Sequence, residues 1–157
     1  MKKINRHGIV AAKMSCSSYK ENSEYFYIEA LEDGLQANLS ANACEYSLDG
    51  STWNSLSAAT NTPTVNTGEK IYFRGNLIPT LSNGIGTFTI SKKCNVKGNI
   101  MSLLYGDDFE EQTKQTDLTG KNRAFYRLFY YCTNIVDASK LVVPATTLEG
   151  NCYQSMF

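Results

Sequence analysis

Four things are scarce in this chain of 157 residues: charge of one sign, histidine, clustered cysteine and long apolar runs. Lys+Arg and Asp+Glu stand at 15 each, so the formal net charge is zero. A duplex partner needs a basic face to neutralise its phosphates, so nucleic acid is not expected as the main partner. The single histidine, His7, falls in the N-terminal arm. Nucleophilic catalysis through Ser or Cys is thereby left without a well-placed base. The five cysteines, Cys16, Cys44, Cys94, Cys132 and Cys152, show no short spacing. A structural zinc site needs clustered Cys/His ligands and is not expected. Isolated buried thiols are the expectation, with one disulfide between the two early cysteines as the alternative. No run approaches the roughly 20 apolar residues of a membrane span. The opening MKKINRHGIVAAKMSCSS has Ile9 to Ala12 as its apolar stretch, interrupted by Lys13. A secretory h-region takes roughly 7–15 residues, so no export signal is expected in the chain itself.

What is present is a bias toward Tyr, Asn, Ser, Thr and Gly, with ten tyrosines and a hydrophobic fraction of 42%, enough for a core. Such compositions suit β-proteins whose uncharged polar strands face water. From Glu24 to Ile100 the dominant period is two, the mark of half-buried strands. EYFYIEAL sets Phe26, Ile28 and Ala30 against Tyr25, Tyr27 and Glu29, and LQANLSA sets Leu35, Ala37, Leu39 and Ala41 against Gln36, Asn38 and Ser40. Asp49-Gly50 supplies a tight turn, with Tyr46, Leu48 and Trp53 as expected core contacts. Thr67-Gly68 marks another turn, before a strand that carries Ile71 and Phe73 inward. Phe88, Ile90, Val96 and Ile100 complete the expected core of an antiparallel, immunoglobulin-like β-sandwich over residues 24–100, behind an arm of residues 1–23.

Beyond Ile100 the pattern changes. Residues 101–120 read as a polar linker with a brief apolar start. The stretch from Ala124 to Tyr131 reads as a helix, because Phe125, Leu128, Phe129 and Cys132 fall at i, i+3, i+4 and i+7. Lys140 to Val143 reads as a short strand stopped by Pro144. AFYRLF at 124–129 overlays CYQSMF at 152–157 with an offset of 28 residues, within the roughly 20–29 of leucine-rich repeats.

LFYYCTNIVDASKLVVPATTLEGNCYQSMF resembles the BspA-like leucine-rich repeats of Bacteroidetes proteins. The matching residues are Cys132-Thr133, Val143-Pro144-Ala145-Thr146-Thr147-Leu148 and Cys152-Tyr153 through Met156-Phe157. The likeness covers about residues 98–157, and the preceding β-region resembles the N-terminal domain attached to such arrays. It implies a surface protein whose repeats present a binding face, and it does not imply an enzyme. Residues 121–157 hold one repeat and the start of a second. Met156 and Phe157 are therefore expected to be covered by more chain, by a partner subunit or by the sandwich.

The acidic run Asp107, Asp108, Glu110 and Glu111 lacks the alternating ligands and Gly of a calcium loop, so a solvated linker face is expected. Gly84-Ile85-Gly86 precedes β-prone residues rather than a helix and is no nucleotide loop. Asn38-Leu39-Ser40 fits a glycosylation sequon but lies inside an expected strand. No catalytic constellation, metal site or cofactor is expected. A glycan-processing enzyme would need a carboxylate pair that the residues do not offer. Tyr126, Tyr130, Tyr131 and Tyr153 are the candidate binding residues, because tyrosine joins apolar area to a hydroxyl. Packing within the repeat is their plainer role. The reading is a non-enzymatic attachment module on an outer surface, as a phage virion fibre or decoration. Virion proteins or copies of itself would hold the arm, and a protein or glycan ligand would meet the repeats. A bacterial cell-surface adhesin is the alternative.

Overall fold

The computed structural model describes residues 23–40, 44–58, 60–75 and 88–157. Most of the expected arm, with His7 and Cys16, and the Gly84–Gly86 motif lie outside the described residues. The protein is mainly β. Strands β1 (Phe26–Ala30), β3 (Cys44–Ser47), β4 (Asn54–Leu56), β5 (Lys70–Arg74), β7 (Cys94–Asn99) and β8 (Ile135–Val142) form one sheet in the order β4-β3-β5-β1-β7-β8. Strands β2 (Ala37–Leu39) and β6 (Phe88–Ile90) form a second. The pairing is antiparallel except for β7 with β8, which run parallel.

The period-two reading sorts the two faces of these strands. Phe26, Ile28, Ala30, Ile71, Phe73 and Val96 are buried on one face of the large sheet, and Leu35, Ala37, Leu39, Phe88 and Ile90 come from the layer above. The seam between the layers is aromatic: Phe88 lies 5.7 Å from Phe26 and 5.1 Å from Phe73, ring centre to ring centre. Burying such side chains contributes about 1.5–3 kcal/mol each. The opposite face stays polar, with Lys97 donating to Glu29 at 2.6 Å and Lys70 capping the rings of Tyr27 and Tyr72. Gly98 is required here. Its φ is +77°, and a Cβ at this position would stand 2.1 Å from the Tyr25 carbonyl oxygen.

Two core expectations change. Leu48 is 47% exposed, because Asp49 turns the chain just after it by accepting from the amides of Ser51 and Thr52. Trp53 leaves the core and packs on the polar face, 4.9 Å from Tyr25 and beneath the Arg74 guanidinium at 4.3 Å. The four described cysteines are free thiols. Burial pushes Cys44 and Cys94 up to about 12.

Residues 101–120 are built into the core. Helix α1 (Ser102–Tyr105), a 3-10 turn (Gly106–Glu110) and helix α2 (Gln112–Thr116) follow β7 directly. Met101, Leu103, Leu104, Phe109 and Leu118 join the buried cluster of the strands. Ser102 is buried and satisfied, donating to the Phe73 carbonyl and accepting from the Phe26 amide.

Candidate ligand-binding surface

The segment expected as a helix from Ala124 to Tyr131 is a run of tight turns. Arg123, Phe125, Arg127 and Tyr131 all have positive φ, between 53° and 65°. The amides of Ala124, Tyr126, Leu128 and Tyr130 bond back three residues, to Lys121, Arg123, Phe125 and Arg127. The intervening amides point to the next pass of the chain instead. Arg123 donates to Gly150, Arg127 to Gln154 and Phe129 to Met156, while Tyr153 donates back to Ala124, at 2.7–3.1 Å. A left-handed L-residue costs about 1–2 kcal/mol, and this ladder with the burial of Phe125 and Phe129 offsets it. The apolar spacing misled because Ala124-Phe125, Leu128-Phe129 and Cys132 recur every four residues. That period serves a chain of turns as well as a helix.

The second pass repeats the first. Asn151, Tyr153 and Ser155 have positive φ at the places of Arg123, Phe125 and Arg127, each 28 residues on. The amides of Cys152, Gln154 and Met156 repeat the same turn bonds. The sequence offset of 28 is thus also an offset of backbone conformation. The chain also runs parallel where β7 meets β8 and where Asp117 bridges Thr147, though not at the 28-residue spacing.

These turns gather three of the four candidate tyrosines. The Arg127 guanidinium lies between the rings of Tyr126 and Tyr130, 5.1 and 4.8 Å from their centres. Tyr130 and Tyr131 meet at 4.1 Å with their hydroxyls 3.3 Å apart, and Tyr131 is 75% exposed. The bond to the Tyr131 hydroxyl raises the Tyr130 pKa. Tyr153 is elsewhere: it stacks on Phe125 at 5.3 Å, nearly parallel. Its hydroxyl is buried without a partner among the described residues, and burial raises its pKa. Beside the tyrosine pair lies a pocket of about 240 Å³ walled by Phe88–Ile90 and residues 130–134. Three bonds fix the walls to each other: Phe88 amide to Leu128, Cys132 thiol to Phe88 and Asn134 amide to Ile90. Arg127 and the β6 wall were not singled out from the sequence; Arg127 stands one residue from Tyr126, which was its only signal.

The four acids of the run are solvent-exposed, and three of them also take part in ion pairs. Asp107 accepts from the Tyr25 hydroxyl at 2.8 Å and from Arg74 at 2.5 Å, and the Tyr25 bond leads in lowering its pKa. Lys114 pairs with Asp108 at 2.9 Å and Glu111 at 3.3 Å. Among the described residues no cluster of acids, His and Cys could hold a metal ion, and no helix is long and apolar enough to cross a membrane. A cleft of about 420 Å³ beside Leu48 and Tyr72 is weaker as a site. There the Asp49 oxygens serve their own turn and Lys70 covers the Tyr72 ring.

Met156 and Phe157 are covered on one side by the first pass. The Phe157 ring lies 5.2 Å from Phe129 yet stays 56% exposed, while Met156 packs partly against the core. Comparison with protein-family models, curated proteins and solved structures finds no match for this chain.

Proposed function

We propose that the chain is a non-enzymatic attachment module displayed on an outer surface, in a phage virion as fibre or decoration, with its ligand held at the Tyr126–Tyr130–Tyr131 patch. The observation that carries this reading is the pocket beside Tyr130 and Tyr131, bordered by an exposed, arginine-braced aromatic group. Tyr and Arg are enriched where surfaces bind, since they offer apolar area with a polar handle. Thr89 and Thr133 also line the pocket, and threonine hydroxyls beside aromatic rings are the chemistry that suits a saccharide ring. The resemblance of residues 98–157 to repeats that present a binding face supports the same reading. So does the 28-residue repeat of the backbone.

The test is a glycan array probed with the full chain and with Tyr131→Ala. The expected result is saccharide binding by the native chain and its loss in the variant, with an unchanged melting temperature because Tyr131 is exposed. No binding by the native chain, or equal binding by the variant, overturns the assignment. Release of shorter saccharides from a bound glycan overturns the non-enzymatic reading.

A further inference from the structure

In a chain of zero net charge, residues 118–136 hold three bases, Lys121, Arg123 and Arg127, and no acid. The inward places of the turns go to Ala124, Phe125, Leu128 and Phe129, and the bases stay half-exposed. Ion pairs among the described residues engage Arg74, Lys93, Lys97 and Lys114 but leave Arg127 without an acid. Glu149, the acid of the second pass, accepts from the amides of Gly120 and Gly150 instead.

Arg127 is nevertheless no loose surface cation. Its guanidinium is held between the rings of Tyr126 and Tyr130, and its Nε is buried with no hydrogen-bond partner among the described residues. Much of the rotamer freedom that an arginine gives up on binding is therefore already lost in the free protein. With the Nε edge buried, the two Nη nitrogens form the edge left for an acceptor. A carboxylate matches that edge with two parallel, charge-assisted hydrogen bonds. We infer that Arg127 is a specificity-determining residue that takes the carboxylate of an acidic saccharide, a uronate or a sialate, whose ring lies against Tyr130. The inference rests on the saccharide reading of the tyrosine patch. Tyr130 joins cation and pocket: its ring centre is 4.8 Å from the Arg127 guanidinium, and the same residue walls the pocket. A carboxylate borne on the sugar ring thus reaches the cation while the ring stays at the wall.

The test is an array of neutral, sulfated, uronate-bearing and sialylated glycans, probed with the full chain, with Arg127→Gln and with Arg127→Lys. The native chain should bind carboxylated glycans roughly ten-fold or more tighter than their methyl esters, which remove the charge from the same sugar. The uronate and sialate arms show which sugar carries the carboxylate. Arg127→Gln should bind acid and ester alike. Arg127→Lys, which keeps the charge without the fork, should retain only part of the preference. Equal affinity of the native chain for acids and esters overturns the inference and leaves the saccharide reading standing. So does a preference for sulfated glycans, or a preference for acids that survives both substitutions. Binding of no glycan by the native chain overturns both. The ester comparison needs no variant, so it decides even where a substitution unfolds the chain.

Discussion

The first and second passes of turns share one backbone and one register, yet they meet opposite environments. Phe129 is 1% exposed and Phe157, its counterpart 28 residues on, is 56% exposed. Ala124, Phe125 and Leu128 are buried, whereas Cys152, Tyr153 and Met156 pack only partly against the core. The first pass lies between the sheets and the second pass; the second has a neighbour on one side. A repeat of this kind does not carry its own core, because each unit buries its apolar face on the next. Conformation is therefore a property of the repeat, while stability depends on its neighbours.

Gly98→Ala attacks the strand on which the second pass stacks and should have the largest effect. The added Cβ meets the Tyr25 carbonyl at 2.1 Å in a left-handed conformation. Chemical denaturation should show a loss of about 4 kcal/mol or more, or no folded protein at all. Phe129→Ala should cost about 3 kcal/mol or more, since it empties an aromatic cluster shared with Phe26 and Phe88. Hydrogen exchange should separate the two passes next. The Arg123 and Arg127 amides bond to the second pass, but those of Asn151 and Ser155 have no carbonyl acceptor among the described residues. We expect the first pair to exchange slower by about a hundred-fold or more. Phe157→Ala, the equivalent of Phe129→Ala, should cost no more than about 1 kcal/mol, because more than half of its ring is already wet.

Acid titration should give the smallest effect and confine it to the sheet. Lys97, by its hydrogen bond, holds Glu29 below the ordinary glutamate value of 4.5. Its folded pKa being lower than its unfolded one, the stabilisation is complete above that value and is lost as pH falls through the folded pKa. The expected loss is under about 1 kcal/mol for this partly exposed pair. The backbone ladder between the passes holds no charge, so it should weaken only as the whole molecule does.

Much of the strand region was legible because alternation is a local signal. Phe26, Ile28, Ala30, Leu35, Ala37 and Leu39 all sit on the expected face. Leu48 and Trp53 were misplaced because their sides are set by the Asp49 turn and by Arg74, which pairs with both Glu45 and Asp107. The turns at 123–131 were mistaken for a helix because a four-residue period does not distinguish the two. The choice rests on amides that bond to residues some 27 positions away, such as Arg123 to Gly150. For the candidate site, the sequence marked the tyrosines but not their grouping. Tyr153 went to Phe125, and β6 supplied a wall from more than 40 residues upstream.

The amino-acid sequence alone determined that this protein is rich in half-buried strands and that a 28-residue unit recurs near its end. Both follow from side-chain periodicity, which the chain carries in every local window. The tertiary structure alone decided that residues 101–120 join the core and which tyrosines face solvent together. It also decided that β8 lies parallel to β7 at a sheet edge. Those outcomes depend on hydrogen bonds and packing between distant segments, whose free energy exists only once the segments meet.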